Sequence, residues 1–365
     1  MHYFFRNVND AFAGVVDQLA VSDKNNKATL SVPVSRHPSR YGEVLQITEP
    51  VTLTYSHPWE RVLFSRKRDC NPFFHLFEAL WMLAGRRDVE FLAYFNPRMR
   101  EFSDNSKTLW GAYGYRWRRA SSLYPLEDQD QIENTINELK VDPYSRRCVI
   151  AHWRDVDWCA IHAHSKDIPC NTHIYFQILD GKLEMTVCNR SNDMIWGALG
   201  ANYVHFTFLQ EYIALALNVA MGRYHHFSTN MHVYINNWKP DLWLSDQSAD
   251  GGLQYPSSAF STPLVLYSNR ASFDTKLPDL LDWATEHVNH QATYHWDVPF
   301  FDGVVHYAAK AFALYKQKRY DDALALCRLI HSFDWRVACH EWVLRRKLRA
   351  KTNFPELEVK DNDYV

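Results

Sequence analysis

The chain has no apolar run of the roughly 20 residues that a membrane-spanning helix needs, which excludes a helical span within it. It has no CxxC pair. Cys70, Cys148, Cys159, Cys170, Cys188, Cys327 and Cys339 are odd in number and scattered, which excludes a zinc-finger pattern and a disulfide framework. It has almost no net charge, −2, so no whole-chain basic field exists and neither DNA nor a membrane surface is an expected partner. An anionic substrate would have to be held by a local group of arginines. The opening MHYFFRNVNDAF lacks a basic-then-apolar signal pattern, and the expectation is a soluble, cytoplasmic protein in a reducing compartment.

What is present is ample core material. The 365 residues are 47% hydrophobic and 15% aromatic, enough for about two domains or one large core with additions. Up to about Tyr55 the sequence shows short β-like runs, EVLQI and VTLTY, broken by the polar SRHPSRYGE. PFFHLFEALWMLAG, Pro72 to Gly85, predicts a buried helix, with proline in the first turn and glycine at the stop. Glu78 lies inside it, where a carboxylate is costly unless paired or functional. A loop-rich stretch ends in LWGAYGYRWRR, and Asp128–Leu139 reads as a helix. Arg147–Trp153, Asn171–Ile178, Leu183–Asn189 and Met231–Ile235 read as strands, with a hairpin signal at Asp180-Gly181. Asn202–Ala220 carries a long apolar helical pattern, and His225-His226 reads as a loop pair. Ser245–Thr262 reads as a loop. From Leu277 four amphipathic helical patterns follow, one junction resembling a single tetratricopeptide-type helix pair, and then a polar tail, PELEVKDNDYV. The expected division is a catalytic body over 1–276 and a helical extension over 277–365.

Three arginine-bearing pieces could hold a phosphate, because a guanidinium fork matches its oxygens. They are SRYG with Arg40, DPYSRR with Arg146 and Arg147, and NRSNDMIWG with Arg190. Cys170 follows Pro169 at the mouth of a strand, where a side chain can reach a cleft. The CAIHAH run, with Cys159, His162 and His164, is a weak metal pattern because no second pair matches it.

These pieces in this order resemble the thymidylate synthase family, from about Arg40 to Trp238. The resemblance implies an α+β fold built on a large twisted sheet, with a partner's sheet packed against it and helices on its other face. It implies Cys170 as the nucleophile that adds to C6 of a pyrimidine, with Arg190 beside it lowering its pKa. Arg40, Arg190 and Ser191 match phosphate ligands, and Arg146 and Arg147 match the pair that reaches into the other protomer's site of a homodimer. Asn202 falls at the base-reading asparagine, which suits uracil and hence dUMP. His232 and Tyr234 match residues on the sugar hydroxyl, and Glu78 and Tyr113 match the groups that move protons through ordered water. Asp193 and Arg68 match positions near the folate, 5,10-methylenetetrahydrofolate.

The sequence departs from the synthases in four places. Asn171 stands where they have histidine. Met99 and Phe102 stand where they have two tryptophans. About a hundred residues, mostly helical by pattern, replace their short closing tail. One extra residue lies between Gly197 and Asn202. Family members share an intermediate that hydride turns into a methyl group and water turns into a hydroxymethyl group. Losing the features that exclude water tilts the expectation toward 5-hydroxymethyl-dUMP. dTMP stands close behind, a dCMP-directed enzyme third, and an idle family member that binds a partner is the reading from another class. A hydroxymethylated nucleotide would fit a viral DNA-modification pathway.

Overall fold

Asp180 and Gly181 both take positive φ, 50° and 72°. That is the two-residue turn whose twist suits a hairpin, and it folds Asn171–Leu179 (β6) back against Lys182–Asn189 (β7). The computed structural model describes residues 1–19, 31–119, 129–239, 243, 255, 265–288 and 294–352. Apart from Tyr255, the expected loop Ser245–Thr262 and the tail PELEVKDNDYV lie outside these residues.

The β6–β7 hairpin belongs to a six-stranded mixed sheet. Its other strands are β1 (His2–Phe5), β4 (Val51–Tyr55), β5 (Val149–Ala151) and β9 (Ala220–Ser228), in the order β1-β4-β9-β7-β6-β5. A four-stranded sheet, in the order β2-β3-β10-β8, is formed by β2 (Val34–Ser39), β3 (Gly42–Ile47), β8 (Asn192–Asp193) and β10 (Met231–Tyr234). Helix α7 (Asn202–Leu217) packs on β7 and β9, and within this core Tyr203 meets Tyr55 edge to face at 4.6 Å and Tyr224 at a tilt at 5.7 Å. All of this lies in one compact unit, Met1–Arg68 with Arg116–Gln254.

Along the opposite face of the six-stranded sheet, two rows of described residues carry no Asp, Glu, Lys or Arg. Phe4, Thr54, His225, Thr186, Tyr175 and Val149 pair across it in register. The row beside it holds His2, Thr52, Phe227, Cys188, His173 and Ala151. Phe4, Tyr175 and Val149 are exposed.

Asp69–Tyr115 and Tyr255–Val365 form a second compact unit. Residues on both sides of the boundary expected after residue 276 take part in it. The reason is packing: Phe73 of α2 (Pro72–Leu83) and Phe95 of α3 (Val89–Phe95) sit 5.2 and 4.9 Å from Phe312. Phe312 belongs to α9 (His306–Lys316), which follows α8 (Arg270–Asp282) and precedes α10 (Tyr320–Cys327) and α11 (Phe333–Thr352). Asn71 caps α2 by accepting from Phe74 N, and Gly85 ends it with φ 67°.

Several expectations are corrected. His225 and His226 are not a loop pair but lie inside β9, and His226 is fully buried. SRHPS is strand β2, at the edge of its sheet, the one place where Pro38 costs no ladder bond. Val8–Leu19 forms helix α1, capped by Asn7 Oδ1, within the stretch expected to be β-like. Arg147–Trp153 contributes only the three strand residues of β5. The GAYGYRW stretch is partly helical, Tyr113–Arg118 (α4), and helix α5 covers Gln131–Val141.

Candidate active site

The hairpin decides what meets at its open end. Asn171 pairs with Asn189, so the residues just outside that pair, Cys170 and Arg190, face each other, and Arg190 N donates to Cys170 O at 2.9 Å. The register shifts between Asn171 and His173, a bulge of the kind that re-aims side chains at sheet ends. Arg190 Nη2 lies 4.0 Å from Cys170 Sγ. Its Nε and Nη2 donate to Pro169 O and Ile168 O at 2.9 and 3.1 Å, and its guanidinium stands 5.5 Å from the centroid of the Trp153 ring. Trp153 was not anticipated from the sequence. It restricts the guanidinium from the ring side while the two carbonyls hold its edge.

Arg40 approaches the same segment from the β2–β3 turn. Its Nη1 and Nη2 donate to Lys166 O and Ser165 O at 2.7 and 3.2 Å. Both arginines are thus held by carbonyl oxygens of the 165–169 loop, and neither forms an ion pair with a carboxylate among the described residues. Ser191 follows Arg190 directly and is half-buried.

Burial pushes the Cys170 thiol above its ordinary value, and Arg190 pulls it down without reversing that. The expectation that Arg190 lowers the pKa holds for its direction of pull but not for the net shift. The resting group is a thiol, and its proton must leave before Sγ can attack.

β8 and β10 carry the next group, with His232 paired to Asp193 in parallel register. His232 Nδ1–H donates to Asn230 Oδ1, 3.0 Å away, and burial lowers the pKa of the ring to about 4, so it is neutral at pH 7. The Tyr234 phenol is raised, by burial first and then by Asp193, with Cys170 also contributing. Asp193 Oδ1 accepts from Ile195 N and Trp196 N at 2.7 and 2.8 Å and so caps the following helical turn. Burial lifts its pKa to about 6 against those two bonds and the pull of Arg68. Buried Arg68 lies 4.2 Å from the Trp196 ring and donates to Ile195 O at 3.2 Å. Its Nε and Nη1 are buried without a hydrogen-bond partner among the described residues.

The extra residue before Asn202 is absorbed locally. Met194–Ala201 is a wide π-type helix with non-helical Leu199 and Gly200, the form that takes up one added residue. Asn202 then starts α7 with Nδ2 3.4 Å from Asn192 Oδ1. Asn171, in the place of the synthases' histidine, is fully buried, and its Nδ2 donates to Cys188 O at 2.9 Å.

The other sequence candidates lie on other elements. Arg146 and Arg147 are exposed beside β5, and Arg147 is paired to Glu138 at 2.6 Å. Glu78, Tyr113, Met99 and Phe102 belong to the second unit. Glu78 is buried on α2, and a Cβ at Gly114 would overlap the Met82 backbone, so glycine lets Tyr113 lie against the end of that helix. Met99 and Phe102 are half-buried on the 3-10 turn Pro97–Phe102. Cys159 and His162 are exposed on the short helix Asp157–His162 (α6), and no group of three or more metal-ligating side chains occurs among the described residues. No described helix is long and apolar enough to cross a membrane.

Comparison with known proteins adds three relatives and a family. Residues 63–248 match the family described as Thymidylate synthase. A protein of Pseudomonas phage M6 named deoxyuridylate hydroxymethyltransferase is 41% identical over 327 residues, 87% of this chain and 90% of its own. Proteins of the same name from Bacillus phage SP01 and Delftia phage PhiW-14 are each 35% identical. They match over 54% and 48% of this chain, and over 52% and 50% of their own lengths.

Proposed function

The chain belongs to the thymidylate synthase family, and on that premise we propose that it converts dUMP to 5-hydroxymethyl-dUMP. The observation that carries the substrate and product is the phage M6 relative of that activity's name, which matches 87% of the chain. That share exceeds residues 1–276, so the match takes in part of the helical extension expected over 277–365, whereas the family match ends at 248. This supports reading the C-terminal helices as an addition to the synthase body that serves the hydroxymethylating reaction.

Cys170 Sγ loses its proton and bonds to C6, and the C5=C6 electron pair moves toward C5 and O4. Arg40, Arg190 and Ser191 hold the phosphate with charge that no protein carboxylate cancels. Asn202 reads the base, and neutral His232 and Tyr234 bond the sugar hydroxyl. 5,10-Methylenetetrahydrofolate, when bound, supplies the one-carbon unit. Asp193 and Arg68 suit it: Asp193 Oδ2 has no hydrogen-bond partner among the described residues, and Arg68 offers buried donors toward an anionic group. Glu78 and Tyr113 move protons through water. Met99 and Phe102, smaller than the synthases' tryptophans, leave water access to the carbon on C5, so hydroxide rather than hydride completes the product.

The exposed Phe4, Tyr175 and Val149 on the sheet rows without Asp, Glu, Lys or Arg suit a second copy of the chain, with Arg146 and Arg147 completing its partner's site. One experiment tests nucleophile and dimer together. Cys170→Ser should form no covalent adduct with 5-fluoro-dUMP and the folate. Mixed with an inactive Arg146→Ala, Arg147→Ala double variant, it should recover about a quarter of parent activity by random pairing. An adduct in the serine variant overturns the nucleophile, and no recovery overturns the shared site.

A further inference from the structure

Asn202 is the first of four linked side chains. Its Nδ2 faces Asn192 Oδ1 at 3.4 Å, and Asn192 Nδ2 faces His226 Nε2 at 2.8 Å and Ser228 Oγ at 3.0 Å. Asn192, His226 and Ser228 are all buried. Gly197 makes room for the chain: a Cβ there would overlap Asn192 Oδ1 and come within 3.0 Å of Asn202 Nδ2.

We propose that Asn192, held by His226 and Ser228, fixes the amide of Asn202 in the orientation that reads uracil and so selects dUMP over dCMP. This rests on the reading of Asn202 as the base-contacting residue. Uracil offers N3–H as a donor and O4 as an acceptor, whereas cytosine offers N3 as an acceptor and an N4 amino donor. Asn202 reads uracil with Oδ1 toward N3 and Nδ2 toward O4. Turning the amide to suit cytosine would bring its Oδ1 against Asn192 Oδ1, two acceptors with no proton between them. Asn192 can escape only by turning as well, which sets its Oδ1 against His226 Nε2.

Reversal therefore needs Asn202, Asn192 and the His226 ring proton to change together, whereas uracil needs none of them to move. Burial lowers the pKa of His226 to about 3, so the ring is neutral and one nitrogen is an acceptor. Its Nδ1 has no hydrogen-bond partner among the described residues, so the choice of tautomer falls to the Asn192 side. With Nε2 as acceptor, Asn202, Asn192 and His226 share one register, the uracil one. Asn192 and His226 are positioning residues, two steps behind the base.

The test is the ratio of kcat/KM for dUMP to that for dCMP, backed by the ratio of their dissociation constants. Asn192→Leu removes the acceptor facing Asn202, and the ratio should fall at least about tenfold, because either amide orientation becomes open. Asn192→Asp keeps an acceptor there and should hold the ratio within about threefold of the parent. Asn192→Ser replaces the leucine form if that one does not fold, with the same expected fall. Equal losses on both nucleotides with the ratio unchanged, or a collapse of the ratio in Asn192→Asp, overturns the proposal while leaving the dUMP reading intact. A parent protein without preference for dUMP overturns both.

Discussion

Asp69 in the second unit and Asp193 in the first each stand just ahead of a helical segment, and they titrate in opposite directions. Burial pushes Asp69 up, but Arg346, Arg345 and Arg349 of α11 outweigh it and hold the carboxyl below its usual value. Arg346 and Arg349 lie 2.9 and 3.3 Å from it, and Arg345 also bonds to it. Asp193 has backbone N–H groups instead, and burial leaves it at about 6. The arginines repeat the contrast. Those on α11 meet a carboxylate and clamp the helix to the turn before α2, whereas Arg40 and Arg190 bond to carbonyl oxygens and meet no carboxylate among the described residues, which leaves their charge uncancelled. A cluster of arginines in a sequence does not say which of these it will be; the groups that neutralise it do.

The largest break of that comparison is at Arg190. Arg190→Ala should lower kcat/KM for dUMP by about a thousandfold, through loss of a charged phosphate donor and of the field at Sγ. It should also slow alkylation of Cys170. A loss under tenfold would place the phosphate elsewhere. Next is Asp69→Ala, which leaves three arginines without their shared carboxylate. It should lower unfolding stability by about 3 kcal/mol in denaturant titration, and no loss would show that the cluster does not hold α11.

The smallest effect sharpens the comparison by pH. Asp69 has a lowered pKa in the folded state, so its contribution is present above the unfolded value and is lost as pH falls through the folded one. Asp193 has a raised pKa, so its contribution is full below the unfolded value and is lost as pH rises through about 6. The stability difference between parent and Asp193→Asn should therefore change sign of slope relative to parent against Asp69→Asn. Parallel slopes would mean that the two sites are electrostatically alike.

Much of the fold was legible in local chemistry. The Pro72 start, the Gly85 stop and the Asp180-Gly181 turn each have one strong backbone preference, and each appears where expected. Helix α1 was not anticipated, although Val8, Ala11, Phe12, Val15, Val16 and Leu19 stand at helical spacing and are buried. Strand β9 was not legible: AMGRYHHFS has no clean alternation, and pairing with β4 on one side and β7 on the other makes it a strand. Of the site, the motif residues were visible by resemblance. Trp153, Asn192 and His226 were not, because they act through contacts between segments far apart in sequence. The net rise in the Cys170 pKa was missed for a related reason: the arginine beside it is visible in the sequence, and the burial around it is not.

The most direct measurement is the mass of the nucleotide product. Purified protein is incubated with 5,10-methylenetetrahydrofolate and dUMP, and both the nucleotide and the folate are analysed. The account predicts 5-hydroxymethyl-dUMP together with tetrahydrofolate, the outcome of water completing the reaction. dTMP together with dihydrofolate would contradict it, and would mean that Met99, Phe102 and the C-terminal helices exclude water as well as the synthases' tryptophans and closing tail do.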